Sequence, residues 1–207
     1  MHGRVNFLLA SSNRGKLAEF EALARRDLAD SRFTFSLAPD FAKLPAFEEA
    51  APTFAENAAG KAIHYSRFCD GAVIADDSGL VVPALKGAPG VRSARYAGPN
   101  ATDAEKIAKL LAEMRGKRGA ERAAHFVCVL ALAESGRCLA VVSDRADGMI
   151  LEAPRGNDGF GYDPVFYQPE INKTFAELSR AEKNRASHRG KAFRRLLRAA
   201  HDLFDRS

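Results

Sequence analysis

Long apolar runs, cysteine pairs and low-complexity stretches are all missing from this sequence of 207 residues. No apolar stretch approaches the ~20 residues that a membrane-crossing helix needs, so neither a membrane-spanning role nor a membrane partner is expected. Phe7-Leu8-Leu9-Ala10 is too short for the core of a secretory leader, and the cytoplasm is the expected compartment. The only cysteines are Cys69, Cys128 and Cys138. None stands in a C-x-x-C spacing, which excludes a disulfide framework or a zinc site and leaves all three as expected reduced core residues. Internal repeats and linkers are absent, and so is the G-x-x-x-x-G-K-[ST] phosphate loop. A hydrophobic fraction of 46% beside 28% charged residues is that of a globular protein. The length suits one α/β domain over residues 1–207, at most bilobed.

Charge is unevenly placed. The net charge is +5, yet Lys183 to Ser207 holds eight Lys/Arg against Asp202 and Asp205, so that segment carries +6 and the rest carries −1. No interleaved aromatics or recognised nucleic-acid motif accompany the basic end. It therefore reads as a small-polyanion site beside a solvated face, and no nucleic-acid partner is expected.

The chemistry concentrates first in AVIADDSGL, residues 72–80. A buried strand that runs into Asp76, Asp77, Ser78 and Gly79 is expected to end there and to present polar groups at its C-terminal tip, where open α/β sheets bind ligands. An Asp/Ser/Gly turn is the plainer alternative. Adjacent residues of an extended chain face opposite ways, so one aspartate is available to a site and the other supports the backbone.

Val5–Ala10 reads as a buried strand, followed by Ser11-Ser12-Asn13-Arg14-Gly15-Lys16 and a helix in which Leu17, Phe20, Leu23, Ala24 and Leu28 recur at helical spacing. Such a junction offers backbone N–H groups and a helix N-terminus to phosphate. Lys16, in the first turn, opposes the helix dipole unless an anion lies nearby. Three capping boxes, at Thr53 to Glu56, Thr102 to Glu105 and Ser179 to Glu182, mark further helix starts. In the first of these helices Phe54, Ala58, Tyr65 and Cys69 form the expected buried stripe, and Lys61 falls in its middle. An unpaired ammonium in a core is costly, so Lys61 is expected to point at an anion or into a wet site.

Two strands, near residues 125–133 and 138–142, are expected to form a hairpin through Glu134-Ser135-Gly136-Arg137, with another strand around Met149–Leu151. Pro154–Pro164, PRGNDGFGYDP, places three glycines and two prolines in 11 residues. A loop of that length in a compact domain is usually functional. Its aromatics, Phe160 and Tyr162, are poorly explained as core, and an aromatic face on a permissive backbone suits a nucleobase. The terminal helix carries Phe193, Leu197, Ala200 and Phe204 inward with Arg189 in line, while His188 points about 100° away. Ser187-His188-Arg189-Gly190 is expected to interrupt it with a glycine.

These groups suggest three jobs. Lys16, Lys61 and the Ser11–Lys16 junction suit a polyphosphate. Asp76, Asp77 and Glu49 or Glu48 suit Mg²⁺, a hard cation that takes oxygen ligands. The Phe160–Asp163 loop with Lys183, His188 and Arg189 suits a base rich in carbonyl acceptors. The sum is a metal-assisted reaction on a nucleoside triphosphate.

The same residues resemble a known family. Ser12-Asn13-x-x-Lys16, Thr53-Phe54-x-Glu56-Asn57-Ala58-x-x-Lys61-Ala62, Ala75-Asp76-Asp77-Ser78-Gly79-Leu80, Gly87-Ala88-Pro89-Gly90, Ser93-Ala94-Arg95-Tyr96, Gly159-Phe160-Gly161-Tyr162-Asp163-Pro164 and Ser187-His188-Arg189-Gly190 are similar, in collinear order, to the inosine triphosphate pyrophosphatase family. The resemblance implies an α/β fold with an elongated central mixed sheet flanked by helices, two lobes around an active-site cleft, Mg²⁺ dependence and a homodimer. It also implies hydrolysis of noncanonical purine nucleoside triphosphates (ITP, dITP, XTP) to the monophosphate and pyrophosphate.

Carried over by position, Ser11, Ser12, Asn13, Arg14, Gly15, Lys16 and Lys61 would bind the triphosphate. Asp77 would be the catalytic or metal-linked carboxylate, with Ser78 beside the substrate, Glu49 the other metal carboxylate, and Asp76 and Glu48 in support. Phe160, Gly161, Tyr162 and Asp163 would stack on and orient the base, and Lys183, His188 and Arg189 would read its 6-oxo edge. Departures are few: Ser12 stands where many members have glycine, Asn157-Asp158 replaces a more glycine-rich lead-in, and Gly60 is expected to loosen the helix that aims Lys61.

The expected mechanism is attack of a metal-activated water on the α-phosphorus, oriented or deprotonated by Asp77. Adenine would leave the 6-oxo readers unpaired at about 1–3 kcal/mol, roughly tenfold to a hundredfold per contact. Two other readings stay open at this point: a pyrophosphatase for modified pyrimidine nucleotides, and a non-catalytic nucleotide- or RNA-binding module.

Overall fold

Short apolar strands alternate with amphipathic helices through the first part of the chain, and they fold as such. The computed structural model describes residues 4–11, 14–27 and 33–204. In chain order the elements are β1 (Val5–Leu9), α1 (Arg14–Asp27), β2 (Phe33–Leu37), α2 (Phe54–Tyr65), β3 (Val73–Val81), α3 (Asp103–Glu113), β4 (Ala123–Glu134), β5 (Arg137–Ile150), β6 (Phe166–Gln168), β7 (Lys173–Thr174), α4 (Arg180–Ala186) and α5 (His188–Phe204). The strands form one open sheet in the order β2-β1-β3-β4-β5-β6-β7. β1 is parallel to β2 and β3, whereas β5, β6 and β7 pair antiparallel. The sheet is therefore mixed, as the resemblance implies. No helix among the described residues is long and apolar enough to cross a membrane.

By its contacts the chain divides into two compact units, each discontinuous in sequence. Unit 1 comprises residues 1–77, 128–144 and 189–207; unit 2 comprises 78–127 and 145–188. The core of unit 1 sets Phe7 and Leu9 of β1, Phe33 and Phe35 of β2 and Ile74 of β3 against Phe20 and Leu23 of α1 and Phe193 and Leu197 of α5. The core of unit 2 sets Leu80 of β3, Phe126 of β4, Ile150 of β5 and Phe166 of β6 against Ile107 and Leu110 of α3, with Tyr162, Phe175 and Leu178 from the loops. In each, alternate strand residues and one helix stripe point inward, as the periodicities of 2 and 3.6 require.

The helix starts fall where the capping boxes put them. Thr53 accepts from the Glu56 N–H at α2, and Thr102 with Glu105 and Ser179 with Glu182 form reciprocal boxes at α3 and α4. The β4–β5 hairpin turns on Ser135 and Gly136, both at positive φ, the geometry that matches strand twist.

Five local expectations need correction. The strand holding Asp76 and Asp77 neither ends nor turns there: β3 continues to Val81, because Leu80 resumes the buried alternation in unit 2. The two strands expected at 138–142 and 149–151 are one, β5, whose exposed polar residues hid its continuity. The terminal helix breaks at Ser187, whose backbone is extended (φ −69°, ψ 151°), and Gly190 lies inside α5. The buried stripe of α2 is Asn57, Ala58, Ala62 and Tyr65, with Phe54 only half-buried and Cys69 beyond the helix end. Of the three free cysteines only Cys128 is buried, Cys138 being exposed.

Gly148 of β5 shows how tightly unit 2 closes around its strands. A Cβ there would stand 2.5 Å from the Tyr167 carbonyl oxygen and 2.7 Å from the Phe166 ring. Gly148→Ala is expected to lower unfolding stability by about 1–3 kcal/mol through overpacking, measured by urea denaturation.

Candidate functional site

Asp76 and Asp77 are neighbours in β3 and nearly fully buried, at 7% and 8% exposure. Asp77 is bonded from α2 and Asp76 lies near α5, on different elements as strand alternation demands. Asp77 Oδ2 accepts from Asn57 Nδ2 of α2 at 2.9 Å. Asp76 shares a face with Ile74, whose side chain packs with α1 and α5, and its Oδ2 lies 4.0 Å from the Arg189 guanidinium of α5. Arg189 also donates to Glu19 of α1 at 3.1 Å.

Lys61 meets the need that its position on α2 created. Its ammonium donates to Glu49 Oε1 at 2.6 Å. Burial works to lower its pKa, but the Glu49 bond and the fields of Asp76, Glu49 and Asp77 outweigh it, leaving the pKa above 10.5. One ammonium thus stands in the field of three carboxylates, all in unit 1.

Asn57 was missed as a separate candidate, although it lies one helical turn before Lys61. Its Oδ1 accepts from the Ala51 N–H at 3.0 Å while its Nδ2 holds Asp77, so a buried amide joins the segment after Glu49 to β3. Gly60 does not loosen α2, which runs unbroken through it. A Cβ at residue 60 would stand 2.7 Å from the Phe47 ring, and the Phe47 N–H donates to Tyr65 Oη at 3.2 Å. The glycine admits the ring that fixes the Glu48–Glu49 segment. Glu48 itself is exposed.

Ser11 follows β1 and is half-buried. Ser12 and Asn13 lie outside the described residues, as do the side chains of Arg14 and Lys16; Arg14, Gly15 and Lys16 open α1.

Unit 2 carries the other candidates. Asp163, 3% exposed, is the centre around which the Pro154–Pro164 loop is wrapped. Its Oδ2 accepts from the Phe160 N–H at 2.8 Å and from the Lys183 ammonium. Gly159, at φ +83°, leaves this carboxylate its room, for a Cβ would sit 2.2 Å from Oδ2. The Lys183 ammonium lies 4.6 Å from the Phe160 ring centroid. Phe160 is 57% exposed, as a platform requires. Tyr162 is different: its ring lies in the unit 2 core and its hydroxyl donates to the Ser93 carbonyl at 2.9 Å. It is an anchor and not a stacking surface, because its polar end finds a partner that lets the ring be buried.

His188 stacks on Phe126 at 4.7 Å between centroids and 9° between planes. Ser78 Oγ is buried and has no hydrogen-bond partner among the described residues, a demand that a ligand could meet. Two of the four unit boundaries in sequence fall at Asp77–Ser78 and at His188–Arg189. The structure thus gathers Glu49, Lys61, Asp76, Asp77 and Arg189 in unit 1, and Phe160, Asp163 and Lys183 in unit 2. Arg189, expected to read a base, is engaged by two unit 1 carboxylates.

A family model described as the Ham1 family matches residues 7–199. A dITP/XTP pyrophosphatase from Geobacillus kaustophilus is 54% identical over 191 residues, 91% of each chain. Among solved structures, a HAM1 protein from Coxiella burnetii superposes with TM-score 0.86 at 42% identity, covering 96% of this chain and 99% of its own. The Ham1 protein of Staphylococcus aureus gives TM-score 0.82 at 36% identity, covering 95% and 98%.

Two measurements test unit 1. Because the folded Lys61 pKa is raised above 10.5, its pairing contributes stability that is complete below that value and is lost as pH rises through the folded pKa. Glu49→Gln is expected to move the Lys61 titration, read by NMR at Nζ, to lower pH, and its stability deficit should vanish in strong alkali. Asn57→Ala strips a partner from both Asp77 and the Ala51 N–H, and should cost about 1–3 kcal/mol in urea unfolding.

Proposed function

The chain belongs to the Ham1 family, and from that premise we propose that it hydrolyses noncanonical purine nucleoside triphosphates, dITP, ITP and XTP, to the monophosphate and pyrophosphate. The observation that carries this reading is the Lys61 ammonium in the field of Glu49, Asp76 and Asp77. A half-buried cation among carboxylates suits a polyphosphate handled with a divalent ion. Relatives named dITP/XTP pyrophosphatase at 54% and 52% identity support it.

The donor set fits Mg²⁺. Glu49 and Asp77, with Asp76 near, offer hard oxygen ligands. Among the described residues no three ligating side chains stand close enough to hold an ion alone. Mg²⁺ is commonly bound through one or two carboxylates plus waters and substrate phosphates. Bound there, Mg²⁺ would offset charge on the phosphate oxygens and make water more acidic.

The residues do the rest. Asn57 fixes the Asp77 carboxylate, which takes a proton from the attacking water and later releases it to solvent. The new bond joins that water's oxygen to the α-phosphorus as the bond to the β-phosphate bridge breaks and pyrophosphate leaves. Lys61 stays protonated at neutral pH and balances charge on the phosphates; Ser11 to Lys16 would add N–H donors and cations. In unit 2, Phe160 offers a ring to the base, with Lys183 and His188 as donors toward a 6-oxo group and Asp163 holding Lys183. Arg189 also engages Asp76 and Glu19. A homodimer working on the cytoplasmic nucleotide pool completes the proposal.

With Mg²⁺ the protein is expected to release pyrophosphate from dITP, ITP and XTP far faster than from ATP, and chelation should abolish turnover. Asp77→Asn should lower kcat at least about a hundredfold. Release of orthophosphate would overturn the α-phosphorus assignment. Better turnover of modified pyrimidine triphosphates, or salt-dependent RNA binding without turnover, would overturn the substrate class or the enzyme reading.

A further inference from the structure

Phe160 is an exposed ring at a tip flanked by glycines, so something other than packing must hold it. Between its loop and α3 lies a cavity of about 520 Å³, lined by Ile107, Ala108, Leu111, Asn157 and Asp158 among others. Beyond the Asp163 N–H bond to the Phe160 carbonyl, both N–H groups of the tip are tethered to carboxylates. The Phe160 N–H donates to Asp163 at 2.8 Å, and the Gly161 N–H donates to Asp103 Oδ2 at 2.6 Å. Gly161, at φ +62° with open space where a Cβ would point, is needed for its backbone conformation, which turns that N–H toward α3.

Asp103 is the first residue of α3, but it does not cap the helix; Thr102 and Glu105 do. Its other oxygen, Oδ1, takes the Lys106 ammonium at 2.5 Å. The helix start is therefore satisfied without the bond to Gly161, and that bond serves the loop. Burial disfavours the ionised carboxyl of Asp103, yet the bonds from Lys106 and Gly161 prevail and hold its pKa below the usual carboxylate value. The acceptor stays charged at neutral pH, which strengthens the tether.

We infer that Asp103 is a positioning residue for the base: through Gly161 it holds the Phe160 ring where the ring meets a purine. This rests on the proposed reading of Phe160 as the base platform. Asp103 touches no substrate in this account; it acts through the loop.

The test is steady-state kinetics on dITP together with amide hydrogen exchange at Gly161 in the ligand-free protein. Asp103→Ala is expected to raise KM about tenfold with kcat changed less than about threefold, the size expected for losing one charge-assisted bond, and to speed Gly161 exchange. Asp103→Asn keeps an acceptor and should restore KM to within about threefold of wild type. Lys106→Ala removes the ion pair but not the tether and should leave KM within the same range. The inference is overturned if Asp103→Ala leaves Gly161 exchange or KM unchanged, or if Lys106→Ala raises KM as much as Asp103→Ala. A wild-type protein inactive on dITP, ITP and XTP overturns the proposed function, and this inference with it. An active protein with fast Gly161 exchange but unchanged KM in Asp103→Ala overturns the inference alone.

Discussion

Two carboxylates next to each other inside a buried strand set the terms for much of unit 1. Taking an ion out of water costs several kcal/mol unless partners restore what water supplied, and Asp76 and Asp77 sit at 7% and 8% exposure. Alternation sends them to different sides, so different elements must supply those partners. For Asp77 this is α2, whose Asn57 bonds it directly, while the Lys61 ammonium of the same helix stands in the field of both aspartates. For Asp76 it is α5, through Arg189, which is itself braced by Glu19 of α1. The cap at Thr53 and the missing side chain at Gly60 follow from the same demand. One fixes where α2 begins, and the other lets Phe47 lock the segment that carries Glu49.

Unit 2 applies the same logic to one carboxylate. Asp163 is buried, and its loop is shaped to satisfy it: Gly159 vacates the space, the Phe160 N–H turns back to it, and Lys183 reaches it from α4. Tyr162 drives the loop into the core while Phe160, two residues earlier, is left outside. Glycines on both sides of Phe160 make that reversal possible, since Gly159 and Gly161 both take positive φ.

What was legible in the sequence was whatever depends on local chemistry. Capping boxes are recognisable because four residues contain donor and acceptor together. Lys61 stood out because a charge inside an apolar helix stripe has to be compensated. The open mixed sheet was implied by the family blocks. Tertiary context decided what was not legible. Ser78-Gly79 reads as a turn until Leu80 is seen to enter a second core. β5 reads as two strands because most of its residues are exposed and local patterning marks burial better than pairing. Tyr162 looked like a surface aromatic because its partner, the Ser93 carbonyl, lies 69 residues away. The role of Asn57 is not legible from its place in the Thr53–Ala62 block, because an amide in a helix has no signature until its two partners are known.

The charge balance of unit 1 bears on its chemistry. Among the described residues, the carboxylates Glu19, Glu49, Asp76 and Asp77 lie in contact with, or in the field of, the cations Lys61 and Arg189. If all are ionised, these six groups carry two surplus negative charges, and a triphosphate would add several more. Like charges crowded in a partly desolvated place repel strongly, so this arrangement resists a polyphosphate unless positive charge arrives with it. In the proposed reading a divalent cation would cancel that surplus and leave Lys61 for the phosphates, with the α1 N-terminus adding its N–H groups. Within the proposed function, the excess of these carboxylates over Lys61 and Arg189 is a physical reason to pair the substrate with a divalent cation in a single binding event.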